Sequence, residues 1–183
     1  MSLTQFEDFS QREYEALLRY VYPMTGSYED SLEIAQESFL TFYQMQAAGQ
    51  VREHERALLF RLARNKAIDL GRRRQTRQDY AQQAQRDNVI PLTATDERTP
   101  EMILLEKERR RYANAALERL GERDRECLAL RRSGLSYREI AEVLNVNPNS
   151  VSQMINRALR RFEQTYHALL GQKHDHGKRK ETG

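Results

Sequence analysis

The chain has 183 residues and a mass of 21.6 kDa, enough for one domain or two small ones. Hydrophobic residues make up 39% and charged residues 31%, with a mean hydropathy of -0.85, so a large cavity between big lobes is not expected. The single cysteine, Cys127, excludes an intrachain disulfide and a multi-cysteine zinc site, and no apolar run approaches the roughly 20 residues of a membrane span. The N-terminal MSLTQFEDFS has neither the basic start nor the apolar stretch of a signal peptide, so a cytoplasmic location without membrane insertion is expected. The net charge of +3 conceals a pattern. Residues 1–48 hold 2 basic against 8 acidic residues, residues 49–80 hold 9 against 4, and residues 131–162 hold 6 against 2. Two basic blocks behind an acidic one suggest two polyanion contacts and one contact of opposite character.

In chain order, apolar residues first recur at helical spacing at Tyr14, Leu17, Leu18 and Val21. A second helix, acidic on its outer face, is predicted over 28–43, with Leu32, Ala35, Phe39 and Phe42 as its apolar stripe. A third, over 56–74 (RALLFRLARNKAIDLGRRR), is amphipathic and basic and carries Leu59, Leu62 and Ala63 inward. Such a helix suits an acidic partner, a membrane surface or nucleic acid equally well. Residues 75–100 lose the apolar period, are rich in Gln, Asp, Arg and Thr, and contain Pro91 and Pro100. They read as a flexible linker, with too little apolar surface to offset the entropy of ordering it. Beyond it the period returns at Leu117, Leu120, Cys127 and Leu130. No alternating segment longer than four or five residues occurs, so the expected fold is all-α. Two small helical domains are expected at 1–74 and 101–170, with 171–183 a disordered tail.

The sharpest local signal lies at 134–162, GLSYREIAEVLNVNPNSVSQMINRALRRF. Ser136 and Glu139 make a capping box, in which each side chain satisfies an amide the first helical turn leaves unpaired. Ile140, Ala141 and Leu144 form a short stripe, and Asn145 suits the left-handed conformation that ends a helix. Asn147 can cap the next helix, and Pro148 fits its first position. Val151, Met154, Ile155, Ala158, Leu159 and Phe162 then repeat at helical spacing. Two short helices across a tight turn make a helix-turn-helix, the C-terminal domain's expected DNA reader. Asn149, Ser152, Gln153, Asn156, Arg157, Arg160 and Arg161 face outward on its second helix. Asn and Gln can pair bidentately with adenine, while the later arginines suit phosphate.

Enzyme chemistry finds no support: there is no phosphate loop, no metal-spaced His/Cys cluster and no nucleophile elbow. His54, His167, His174 and His176 are scattered or lie in the tail, and Cys127 sits on an apolar stripe beside Leu128 and Leu130. No catalytic residue, metal site or cofactor is therefore expected.

The segments GSYEDSLEIAQESFLTFY and LLFRLARNKAIDLGRRR resemble region 2 of bacterial sigma factors of the extracytoplasmic-function (ECF) group. LERLGERDRECLALRRSGLSYREIAEVLNVNPNSVSQMINRALRRF resembles their region 4, and order and spacing agree over about 6–74 and 102–166. The resemblance implies a promoter-specificity subunit of RNA polymerase. Glu29, Asp30, Glu33, Gln36 and Glu37 would meet the coiled coil of the β′ subunit, with Phe39 packed beneath. Arg56, Arg61, Arg64, Asn65, Lys66, Asp69, Arg72, Arg73 and Arg74 would engage and help melt the minus-ten promoter element. Region 4 would bind the flap of the β subunit and read the minus-thirty-five element through Arg138, Asn149, Ser150, Ser152, Gln153, Asn156, Arg157 and Arg160. An anti-sigma partner is implied as well. Departures from the family pattern are Glu55 and Leu58, where Phe and Trp are usual, Leu32 in place of an acidic residue, and Ser152 in place of a cation. Phe60 is the aromatic this stretch keeps. The alternative is a free-standing regulator in which 1–74 senses a ligand or dimerises and only 134–162 binds DNA. It leaves the acidic-then-basic order of 28–74 without a purpose.

Overall fold

The computed structural model describes residues 2–51, 54–78 and 100–178. Seven helices and no strand occur among them: α1 (Leu3–Thr25), α2 (Tyr28–Ala47), α3 (Glu55–Gln78), α4 (Pro100–Glu118), α5 (Glu122–Arg132), α6 (Tyr137–Leu144) and α7 (Pro148–Lys178). The all-α expectation holds. Most of the segment read as a linker falls outside the described residues. Helix α7 runs to Lys178, into the stretch read as a tail, since extending a formed helix needs no new nucleus.

Local chemistry sets the boundaries. Ser2 and Gln5 close a capping box at the start of α1. Gly26 ends α1 at φ 66, where glycine carries no Cβ penalty, and its N–H donates to the Tyr22 carbonyl. One residue later Ser27 caps α2 by accepting from the Asp30 amide, and Glu29 and Asp30 sit in the first turn, where negative charge suits the helix dipole.

Compact packing groups Met1–Leu92 with Ala129–Pro148 in one unit, and Thr93–Leu128 with Asn149–Gly183 in another. In the first unit, α1, α2 and α3 pack mutually around Leu17, Val21, Ala35, Leu59 and Ala63, all fully buried. Aromatic rings fill the rest of this core. Phe9 stacks on Phe42 at 5.0 Å between centroids, and Tyr20 meets Phe60 at 5.4 Å. Phe39 is buried against Phe6 and Tyr14. Tyr14 itself is 37% exposed, so it caps the stripe rather than filling it. Helix α6 packs on α3 in the same unit, with Ile140, Ala141 and Val143 buried. In the second unit, α7 buries Val151, Ile155 and Ala158, and Ala116, Leu120 and Cys127 are also enclosed. Leu159, read as part of the α7 stripe, is 42% exposed.

Candidate nucleic-acid interface

Three outward faces carry the residues singled out in the sequence. On α2, Glu29, Glu33, Gln36 and Glu37 are exposed at i, i+4, i+7 and i+8, so they lie along one side of the helix. Asp30 is half-buried and Phe39 is buried beneath.

On α3, Arg61, Asn65, Asp69 and Arg72 recur at i, i+4, i+8 and i+11 and are exposed, so they form a continuous stripe, with Arg73 exposed beside it. Arg72 lies 3.7 Å from Asp69. Arg64 is half-buried. Lys66, Arg74 and Arg56 are engaged within the chain. Lys66 Nζ donates to Glu37 Oε2 at 2.7 Å. Arg74 donates through Nη1 to the Thr25 carbonyl at 2.9 Å and pairs with Asp30. Arg56 stands apart from the stripe: it donates to Glu13, Ser133 and Gly134. Phe60 is fully buried against Tyr20, so in this state it is a core residue and not a platform for a base.

The helix-turn-helix segment carries its expected local devices. Ser136 and Glu139 satisfy each other's amides, with Glu139 Oε2 accepting from Ser136 N at 2.7 Å and Ser136 Oγ accepting from Glu139 N at 3.3 Å. Asn145 adopts φ 52, ψ 54 and ends α6, and the next amide, Val146 N, donates to the Ala141 carbonyl at 2.9 Å. Helix α7 then starts at Pro148. On α7, Asn149, Gln153, Asn156 and Arg160 are exposed at i, i+4, i+7 and i+11, while Ser150 and Ser152 are half-buried. Arg138 is exposed on α6.

Arg157 has a different setting. Its Nη2 donates to Asp124 Oδ1 at 2.7 Å, and Arg161 Nη1 donates to Asp124 Oδ2 at 2.9 Å. Asp124 lies on α5 and is 3% exposed. Burial by itself raises its pKa, but the two guanidiniums outweigh that effect and hold the carboxyl below the ordinary value. Arg157 is shifted upward by the same bond. Nearby, burial first, then the charges of Asp124 and Glu126, push the Cys127 thiol up to about 11. Glu13 and Asp124 are the residues the sequence reading missed. Each is a carboxylate bonded to an arginine more than thirty positions away, and no local pattern marks that bond.

Among the described residues no group of His, Cys, Asp and Glu is arranged to hold a metal ion, and no helix is long and apolar enough to cross a membrane. The assembled surfaces are acidic on α2, cationic and amide-bearing on α3, and amide-bearing with cations behind on α7. The last two are the chemistry of phosphate grip and base-edge reading.

Comparison with known proteins agrees with this chemistry. Residues 110–162 match the family Sigma-70, region 4. No curated protein sequence matches the chain. Among solved structures, CnrH in complex with the cytosolic domain of CnrY is similar at a TM-score of 0.62 and 20% identity, covering 91% of this chain and 90% of that one. The sigma factor RpoE from Bartonella quintana, in complex with the anti-sigma factor NepR, is similar at a TM-score of 0.63 and 20% identity, covering 87% and 96%. Residues 110–162 thus match a sigma-70 region 4, and the chain shares the overall helical fold of these two solved structures.

Proposed function

We propose that the chain is an ECF-group sigma factor that binds core RNA polymerase and directs it to specific promoters, under the control of an anti-sigma partner. The observation that carries this reading is the region 4 match over 110–162, which spans the capped helix-turn-helix and its exposed Asn149–Gln153–Asn156–Arg160 stripe. The complex of the similar RpoE with an anti-sigma factor supports the partner. The exposed acidic side of α2 meets the β′ coiled coil of polymerase, and region 4 meets the flap of the β subunit. Arg138, Ser150, Ser152 and Arg157 complete the minus-thirty-five contacts made by the α7 stripe.

Opening a promoter means holding one strand unpaired, through a cationic track for phosphates and polar partners for bases turned out of the stack. Arg61, Asn65, Asp69, Arg72 and Arg73 offer such a track on one face of α3. Two small readers on one chain raise each other's effective concentration at the second box, so neither needs to bind strongly alone. Chemistry stays with the polymerase, and the chain supplies recognition without a catalytic site of its own.

Run-off transcription with a bacterial core polymerase and a library of promoter sequences tests this. Transcripts from a defined subset, absent without the chain, are expected, together with weak binding of the isolated chain to duplex promoter. Tight operator binding without polymerase, and no transcripts with it, would establish the free-standing regulator instead.

A further inference from the structure

The acidic face of α2 and the cationic track of α3 share an ion pair. Lys66 Nζ donates to Glu37 Oε2 at 2.7 Å across the two helices. Glu37 lies one turn beyond Glu33 on the exposed side of α2, so it belongs to the face proposed to meet polymerase. Lys66 lies one turn before Asp69 and two before Arg73 on α3, so it edges the track proposed for the melted strand. Each half of the pair therefore suits a different partner, the carboxylate a basic protein surface and the ammonium a phosphate. Neither partner can bind its half fully while the pair is closed. Glu37 is exposed, and the lysine ammonium turns freely on its stem with three donors, so incoming ions reach both from outside. Arg74 is tied differently: beside its pair with Asp30 it donates to the Thr25 carbonyl at 2.9 Å, which fixes it to the turn ahead of α2.

We infer that the pair of Glu37 and Lys66 is a charge hand-off between the two surfaces: polymerase takes Glu37 and delivers Lys66 to a promoter phosphate, and phosphate on Lys66 delivers Glu37 to polymerase. The inference rests on the sigma-factor reading and deepens it. In the free chain, a phosphate arriving at Lys66 meets the Glu37 carboxylate beside it, and a cation arriving at Glu37 meets the ammonium. Each ligand binding alone must part the pair and face a like charge. Once one ligand has parted it, the other does not. The two bindings are therefore cooperative, by the same factor whichever comes first. An ion pair between partly exposed side chains is worth about two- to fivefold in an equilibrium constant, and that sets the size of the coupling. Such a factor is small beside a whole interface. The pair thus biases the chain towards engaging polymerase and melted strand together, without forbidding either alone.

Four full-length chains test this: wild type, Glu37→Gln, Lys66→Met and the double variant. Glutamine and methionine remove the charges and keep nearly the same side-chain length, so the packing of α2 on α3 is undisturbed. Each chain is titrated with a fluorescent oligothymidine of about twelve nucleotides, which probes phosphate grip without base reading, and separately with bacterial core RNA polymerase. Glu37→Gln is expected to tighten oligothymidine binding about two- to fivefold more when Lys66 is present than when methionine replaces it. Lys66→Met is expected to tighten core binding about two- to fivefold more when Glu37 is present than when glutamine replaces it. Comparing the two backgrounds removes the general effect of one charge more or less on the chain. Equal factors in both backgrounds, in either titration, would overturn the hand-off. If the wild-type chain does not bind core polymerase at all, the sigma reading falls and the hand-off falls with it, while the oligothymidine titration separately reads whether Glu37 restrains Lys66.

Discussion

Asp124→Asn probes a buried carboxylate bonded to two arginines in the second compact unit. Asp124 is 3% exposed and accepts from Arg157 at 2.7 Å and Arg161 at 2.9 Å, each arginine side chain being more than half exposed. A hydrogen bond to a charged group contributes about 1.5–3 kcal/mol, and exposure of the two guanidiniums reduces that towards about 1 kcal/mol each. Asparagine keeps one carbonyl acceptor but aims its N–H groups at the other guanidinium. It also removes the cost of burying a carboxylate, which offsets part of the loss. The expected net destabilisation is about 1.5 kcal/mol, a fall in Tm of about 3–6 °C for a chain of this length. The pH dependence has a definite sign. The folded pKa of Asp124 lies below its unfolded value of about 3.9, so its contribution is complete above that value and declines as pH falls towards the lower folded one. Thermal denaturation at pH 7, 5.5 and 3 should therefore give the same gap between wild type and variant at the first two and a narrower one at the third. Equal Tm values at pH 7, or a gap undiminished at pH 3, would refute the assignment.

Asn145→Ala should cost about 1 kcal/mol, because alanine must hold the left-handed conformation seen at φ 52, whereas Asn145→Gly should be close to neutral; urea denaturation reads both. Cys127 should resist iodoacetamide at pH 8 in the folded chain and react promptly in urea, since burial and neighbouring carboxylates keep its thiol protonated to about pH 11. Labelling of the native chain at the unfolded rate would contradict this. Glu33→Lys reverses an exposed charge on the α2 face and should weaken core-polymerase binding about tenfold in a titration, with promoter preference unchanged. Gln153→Ala should shift minus-thirty-five preference by about 1–3 kcal/mol at one base pair while leaving core affinity alone, which a promoter library resolves.

The sequence reading succeeds where the cause is local. The Ser136–Glu139 box, the left-handed Asn145 and the Pro148 start are each settled within four residues, and all three occur where the pattern puts them. Helices over 28–43 and 56–74 emerge as α2 and α3 with longer ends, because helices extend until a cap or breaker intervenes. What stays hidden are bonds between distant positions. Arg56 reads as one more cation in a basic helix, yet its partners are 43, 77 and 78 positions away. Nothing in a 3.6-residue period distinguishes an arginine that will meet phosphate from one that will meet carbonyls, since the guanidinium donates to both. Glu13 and Asp124 are invisible for the same reason: each is an ordinary acidic residue until a remote arginine arrives.

The exposure of an arginine's partner, more than of the arginine itself, sorts these cations by what they can do next. Lys66 and Glu37 have side chains 32% and 53% exposed, and Arg74 and Asp30 are 41% and 21% exposed. Pairs so open to water contribute about 0–1 kcal/mol, so either side can exchange its partner for another charged group at little cost to the bundle. The acidic and basic blocks thus hold each other provisionally, and water or a new partner can stand in for either side. Glu13 and Asp124 are different, with side chains 6% and 3% exposed. Drawing Arg56 away strips a buried carboxylate of its strongest partner, a loss on the order of 3–5 kcal/mol unless Glu13 is rehydrated or Arg12 swings in to replace it. Arg56 is thus held as part of the bundle, whereas Lys66 and Arg74 can exchange partners at little cost.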